Sequence, residues 1–107
     1  MALQHATDAN FQNTIGDGLT LVDFWATWCG PCRMFGPIFE AVSEKVPNVN
    51  FVKFEIDETN RTTPTKFGIR SIPSVLAFRN GNLIEARTGL MDEETVMAWI
   101  QELQSAS

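Results

Sequence analysis

A chain of 107 residues, 44% hydrophobic and 20% charged, fits one domain with a single core, so one domain over residues 1–107 is expected. Thirteen acidic against eight scattered basic residues leave a net charge of −5, which argues against nucleic acid and anionic membranes as partners. No stretch approaches the roughly 18 uninterrupted apolar residues of a spanning helix, and Met1 to Thr7 lack the basic-then-apolar pattern of a secretory leader, so a cytoplasmic protein is expected.

Taken in chain order, Thr7 to Phe11 reads as a helix start, with Phe11 and Ile15 one turn apart, and Gly16-Asp17-Gly18 as its stop. Leu19 to Trp25 is almost continuously apolar, with one charge at Asp23, the pattern of a strand buried on both faces. A helix is predicted from about Cys29–Cys32 to Lys45. Pro31 suits its first turn, whereas Pro37 falls inside and should kink it beside Gly36. Phe51 to Asp57 alternates and predicts a strand with Val52, Phe54 and Ile56 on one side and Phe51, Lys53 and Glu55 on the other. Thr59 to Phe67 reads as a weaker helix interrupted by Pro64. Ser74 to Arg79 and Asn82 to Arg87 flank Asn80-Gly81, a strong hairpin signal. Acidic residues 92–94 open a last helix in which Val96, Trp99, Ile100 and Leu103 recur at helical spacing. A strand–helix–strand start with a terminal hairpin implies a mixed sheet, helices on both faces, and a site at the carboxyl ends of the strands, where Trp25 leads into Trp28-Cys29.

Two cysteines are too few to staple a scaffold, and a core of this size needs no staple. Spaced as Cys29-x-x-Cys32 at a helix start, they come within reach of each other, because i and i+3 side chains lie roughly 5–6 Å apart. The two positions differ. Cys29 meets the unpaired N–H groups and the positive end of the helix dipole. A helix terminus is worth about 0.3–1 kcal/mol, so it lowers the Cys29 pKa enough to make the thiolate a substantial species at neutral pH. Cys32 lies one turn further in and stays a thiol. Cys29 is therefore the expected exposed nucleophile: its thiolate attacks a substrate disulfide, and Cys32 then attacks Cys29 to release the reduced product. A static disulfide, two inert thiols and a zinc half-site are the other readings. Zinc wants four ligands and the chain adds only the distant His5, so no metal is expected.

The segment Trp25-Ala-Thr-Trp28-Cys29-Gly30-Pro31-Cys32-Arg33-Met34 resembles the active site of thioredoxins. The resemblance extends through Val22 to Trp25, Lys53, Gly68 to Pro73, Phe78 to Gly81 and Gly89. It implies a thioredoxin fold: an α/β domain with a five-stranded mixed sheet, a mostly parallel core plus an antiparallel C-terminal hairpin, and four flanking helices. It also implies protein-disulfide reduction by a monomer that binds no cofactor, with the Cys29–Cys32 disulfide as the redox centre. Electrons would come indirectly from NADPH through a thioredoxin reductase, and the substrates would be diverse disulfide-containing proteins.

Four further assignments follow from the resemblance. Asp23 matches the family's buried acid. An aspartate inside an apolar strand should have a raised pKa and could take the Cys32 proton, although a purely structural hydrogen-bonded acid is the alternative. Lys53 matches the lysine that approaches this acid; its alternative is an ordinary solvated strand lysine. Pro73 matches a cis proline facing the cysteines. Trp28, Gly30, Pro31, Ile72, Pro73, Gly89 and Leu90 would form an exposed apolar docking collar, with Trp25 and Pro37 as structural support. Departures from the family pattern include Arg33 for a lysine, Gly36 where a better helix former is usual, Phe67 for a tyrosine, and Thr88 and Leu90 in the collar. A disulfide oxidant and a non-catalytic subunit of a larger assembly are the competing functions.

Overall fold

The computed structural model describes residues 3–106. In chain order the elements are β1 (Leu3–Ala6), α1 (Phe11–Thr14), β2 (Leu19–Trp25), α2 (Gly30–Lys45), β3 (Asn50–Glu55), α3 (Thr62–Lys66), β4 (Ser74–Arg79), β5 (Asn82–Thr88) and α4 (Glu93–Ser105). The sheet order is β1-β3-β2-β4-β5. β1, β3 and β2 pair in parallel, and β4 and β5 add antiparallel to them. The apolar run at β2 thus becomes the middle strand, with six of its seven residues buried.

Strand alternation sends the core to two sides. On one side Leu19, Leu21, Phe51, Val75 and Ala77 pack under α2 and α4 against Phe35, Phe39, Val42, Trp99 and Ile100. On the other, Val22, Phe24, Val52, Phe54, Leu76 and Phe78 meet Phe11 of α1, with Phe67 against them. Each fully buried aromatic ring of this kind contributes about 1.5–3 kcal/mol. α1 is four residues long and has no side-chain cap. Such a turn does not hold itself in water; it is held by Phe11, whose ring lies within 5.6–6.2 Å of the rings of Phe78, Phe67, Phe54 and Phe24.

Several boundaries differ from those predicted, each for a physical reason. β1 went unpredicted as a strand: it is short, lies at the sheet edge, and buries only Ala6, so its sequence carries no usable alternation. α1 begins at Phe11 rather than Thr7, because Asn10 Oδ1 turns back to accept from the Thr7 N–H at 2.7 Å. β3 ends at Glu55, where Asp57 leaves the ladder and its carboxylate accepts from the Thr59 N–H and hydroxyl. α3 starts only at Thr62. Pro64 therefore sits in its first turn and interrupts nothing, while Asp8, from beyond β1, accepts from the Thr62 and Thr63 N–H groups. α2 runs unbroken from Gly30 to Lys45 through Pro37. The hairpin forms as expected, with Asn80 at φ 50° and Gly81 at φ 87°. Asn80 also fixes the β2 entry, donating its N–H to the Gly18 carbonyl and accepting from the Gly18 N–H at 2.8 Å.

Candidate active site

β2 ends at Trp25 and α2 starts at Gly30, so the four residues between them must turn the chain at the carboxyl end of the middle strand. The turn closes with the Cys29 N–H donating to the Ala26 carbonyl at 3.2 Å. Cys29 is the N-cap of α2, extended at φ −95° and ψ 112°. Its Sγ accepts a hydrogen bond from the Cys32 N–H at 3.2 Å, taking up a donor the helix cannot satisfy itself. Pro31 occupies the first turn, where no donor is needed. Cys29 and Cys32 are joined by a disulfide across a Cα–Cα distance of 5.2 Å. The Ile72 carbonyl oxygen lies 3.7 Å from Cys29 Sγ, placed to accept from the thiol once the bond is reduced.

The expected asymmetry of the two sulfurs takes a different form from the one predicted. Cys29 is buried at 6% exposure and Cys32 at 3%, so Cys29 is not an exposed residue. Ala26, Trp25 and Ile72 pack around the pair and reduce access to it. What separates the cysteines is bonding: only Cys29 holds a position where a backbone donor and the helix end favour an anion.

Around the pair, Trp28 stands 74% exposed and Leu90 47%, and Pro31 is also exposed. Gly30, Ile72 and Gly89 are half-buried. Pro73 is buried, which removes it from the exposed collar: its peptide bond with Ile72 is cis, and its carbonyl accepts from the Gly89 N–H at 2.8 Å. Pro73 therefore ties the two loops together rather than meeting solvent. Met34, 63% exposed, adds an apolar group absent from the predicted collar. It follows Gly30 by four residues and so shares its face of α2, a helical-spacing signal already present in the sequence. Trp28 also walls a shallow groove with Ile56, Asp57, Glu58 and Arg61.

Behind the turn, Asp23 is 1% exposed, and neither carboxyl oxygen has a hydrogen-bond partner among the described residues. Burial pushes this carboxyl up to about 7, against a smaller downward pull from the Lys53 ammonium. Lys53 is paired with Asp23 in the β2–β3 register, which puts both side chains on the α2 side of the sheet. It is half-buried rather than a freely solvated strand lysine, with Nζ 4.7 Å from the centre of the half-buried Trp25 ring. His5 lies exposed on the outer strand β1, in register with Lys53.

A redox-active cysteine pair at the start of a helix, set at the carboxyl end of a mixed sheet, defines a thiol–disulfide oxidoreductase of the α/β class. The thioredoxin family model matches residues 2–102. A thioredoxin of Rickettsia prowazekii (strain Madrid E) is 39% identical over 103 residues, covering 94% of this chain and 97% of that protein. A thioredoxin of Listeria monocytogenes serovar 1/2a is 42% identical over 93 residues, covering 86% and 89% respectively. Among solved structures, the Malassezia sympodialis thioredoxin Mala s 13 superposes with a TM-score of 0.83 at 36% identity, over 94% of this chain and 89% of that one. The chain belongs to the thioredoxin family, and its activity is thiol–disulfide exchange.

Proposed function

We propose that this protein works in the reducing direction, as a cytoplasmic single-domain monomer that passes two electrons to disulfides of other proteins. The observation that carries the exchange step is the Cys32 N–H donated to Cys29 Sγ at the α2 N-cap, while the reducing direction rests on the likeness to thioredoxins. That hydrogen bond supports a thiolate at Cys29 in the reduced protein. That thiolate attacks one sulfur of a substrate disulfide. The S–S bond breaks, the distal sulfur leaves as a thiolate and takes up a proton, and Cys29 is left in a mixed disulfide. The Cys32 thiol then gives its proton to the Asp23 carboxylate, through water, and attacks Cys29 Sγ. The second substrate sulfur departs as a thiolate and takes up a proton, leaving the Cys29–Cys32 disulfide. A carboxyl titrating at about 7 suits such a transfer, since it is neither fully ionised nor fully protonated at neutral pH.

Docking falls to Trp28, Pro31 and Leu90, with Gly30, Ile72 and Gly89 between them and Met34 extending the apolar surface along α2. Pro73 and Trp25 support that surface from within, and Lys53 sets the charge beside Asp23. Restoring the dithiol needs a two-electron donor, for which a thioredoxin reductase drawing on NADPH fits the family.

The test is a Cys32→Ser variant, which leaves the mixed disulfide unresolved. Incubated with cell extract, it should retain many different proteins through Cys29, all released by a small thiol. A single dominant partner would replace a general reductase by a dedicated carrier, and the absence of any trapped protein would overturn the mechanism.

A further inference from the structure

Lys53 has a charged head whose place is fixed without an ion pair. Among the described residues it makes no salt bridge and no hydrogen bond. Its Nζ rests over the Trp25 ring on one side. On the other it meets α2 at Gly36, where a Cβ would lie only 3.3 Å from Nζ. Gly36 is buried in a helix whose interior favours almost any other non-proline residue, by about 0.5–1 kcal/mol for alanine over glycine. Its φ is not in the left-handed region, so the backbone does not ask for glycine there. The lysine does.

We propose that Gly36 is a positioning residue: by lacking a side chain it leaves the seat, between α2 and the Trp25 ring, that holds the Lys53 ammonium beside Asp23. The lysine then acts on the carboxyl through its field, from beyond ion-pair distance, in a buried setting where small displacements count. Filling the seat pushes Nζ outward toward water, and the carboxyl loses part of the field that favours its ionised form. Other charged groups around this row are His5 on β1, Glu55 on β3, Arg87 on β5, in register with Val75 beside Asp23, and Arg33 and Glu40 on α2. Arg87 is engaged with Trp99 and Glu102, and Arg33 donates to the Thr27 carbonyl. His5 and Glu40 are exposed. Glu55 is half-buried on the Lys53 side of β3, and an outward-moving ammonium would approach it.

The seat governs how the Asp23 proton is set, and its use in turnover rests on the relay role proposed above. The experiment reads the carboxyl directly, by NMR titration of the Asp23 side-chain carbon in the oxidised protein. Gly36→Leu should raise the Asp23 midpoint by about half a pH unit. Gly36→Ala, which disturbs the fold least, should raise it by less, and Lys53→Met by more. In the Lys53→Met background, Gly36→Leu should add nothing. A helix-propensity effect would raise the melting temperature without moving the midpoint. Unchanged midpoints in both Gly36 variants would overturn the proposal, as would a Gly36→Leu shift that persists in full without the lysine. Failure of the relay itself is read elsewhere, as an unaltered pH profile of mixed-disulfide resolution in Asp23→Asn, and leaves the titration result standing.

Discussion

The starts of α2 and α4 solve the same local problem with different atoms. Each has an extended N-cap residue whose side chain accepts the N–H three residues on: Cys29 from Cys32 at 3.2 Å, Asp92 from Thr95 at 2.8 Å. At α4 a carboxylate does this in solvent, and the hydrogen bond from Thr95 holds its pKa below the usual value. At α2 a sulfur does it in a buried turn, with no acidic residue in the first turn, and the neighbouring aspartate, Asp23, is raised by burial instead. Both positions use the positive end of a helix. One spends it on stability; the other reserves it for an anion that appears only when the disulfide is reduced.

The largest effect that would sharpen this contrast is Cys29→Ser. Reduction of a protein disulfide should fall to background, because no thiolate remains to attack. The variant should nonetheless be at least as stable to urea as reduced wild type, since serine is a preferred cap. Marked destabilisation would mean that the sulfur has a packing role beyond the cap.

Asp23→Asn comes next. The carboxyl titrates near 7 in the folded protein against 3.8 as its ordinary value. Between those two values the unfolded chain releases a proton that the folded one keeps. Wild-type stability therefore falls as pH rises through this window and levels off above it. Replacing the acid by the neutral amide should make the protein more stable at pH 8, by on the order of 3 kcal/mol, with the difference vanishing near pH 4. Equal unfolding midpoints at pH 8 would show that the acid is solvated in solution.

The smallest effect belongs to α4. Asp92→Ala should lower the melting temperature by a few degrees at neutral pH and leave disulfide reduction within twofold of wild type. Because the cap favours the ionised form, its contribution is present above the ordinary carboxylate pKa and is lost as pH falls through the lowered one. The gap between variant and wild type should thus close in acid. Loss of activity in this variant would dissolve the distinction between the two caps.

How far the sequence could be read followed how local the cause was. The β2 run, the Asn80-Gly81 turn and the α4 stripe with its acidic start depend on neighbours a few residues away, and each formed where expected. The same holds for Cys29 and Cys32 at a helix start, with Pro31 fitting the first turn. β1 was not legible, because four residues at an edge become a strand only by pairing with Phe51 to Phe54. Nor was the start of α3, since the groups that cap it belong to Asp8, 54 and 55 positions away.

At the site the division is similar. Residue type and spacing alone put two thiols one helical turn apart, within disulfide reach at a helix start, and the thioredoxin-like motif around them pointed to exchange. Tertiary structure decided the rest. It buried Cys29 beside Ile72, withdrew Pro73 from solvent, left both Asp23 oxygens without partners among the described residues, and set the Lys53 head between Trp25 and Gly36. Each of these depends on which atoms from distant strands and helices exclude water or fill space. Such exclusion has no period along the chain by which it could be foreseen.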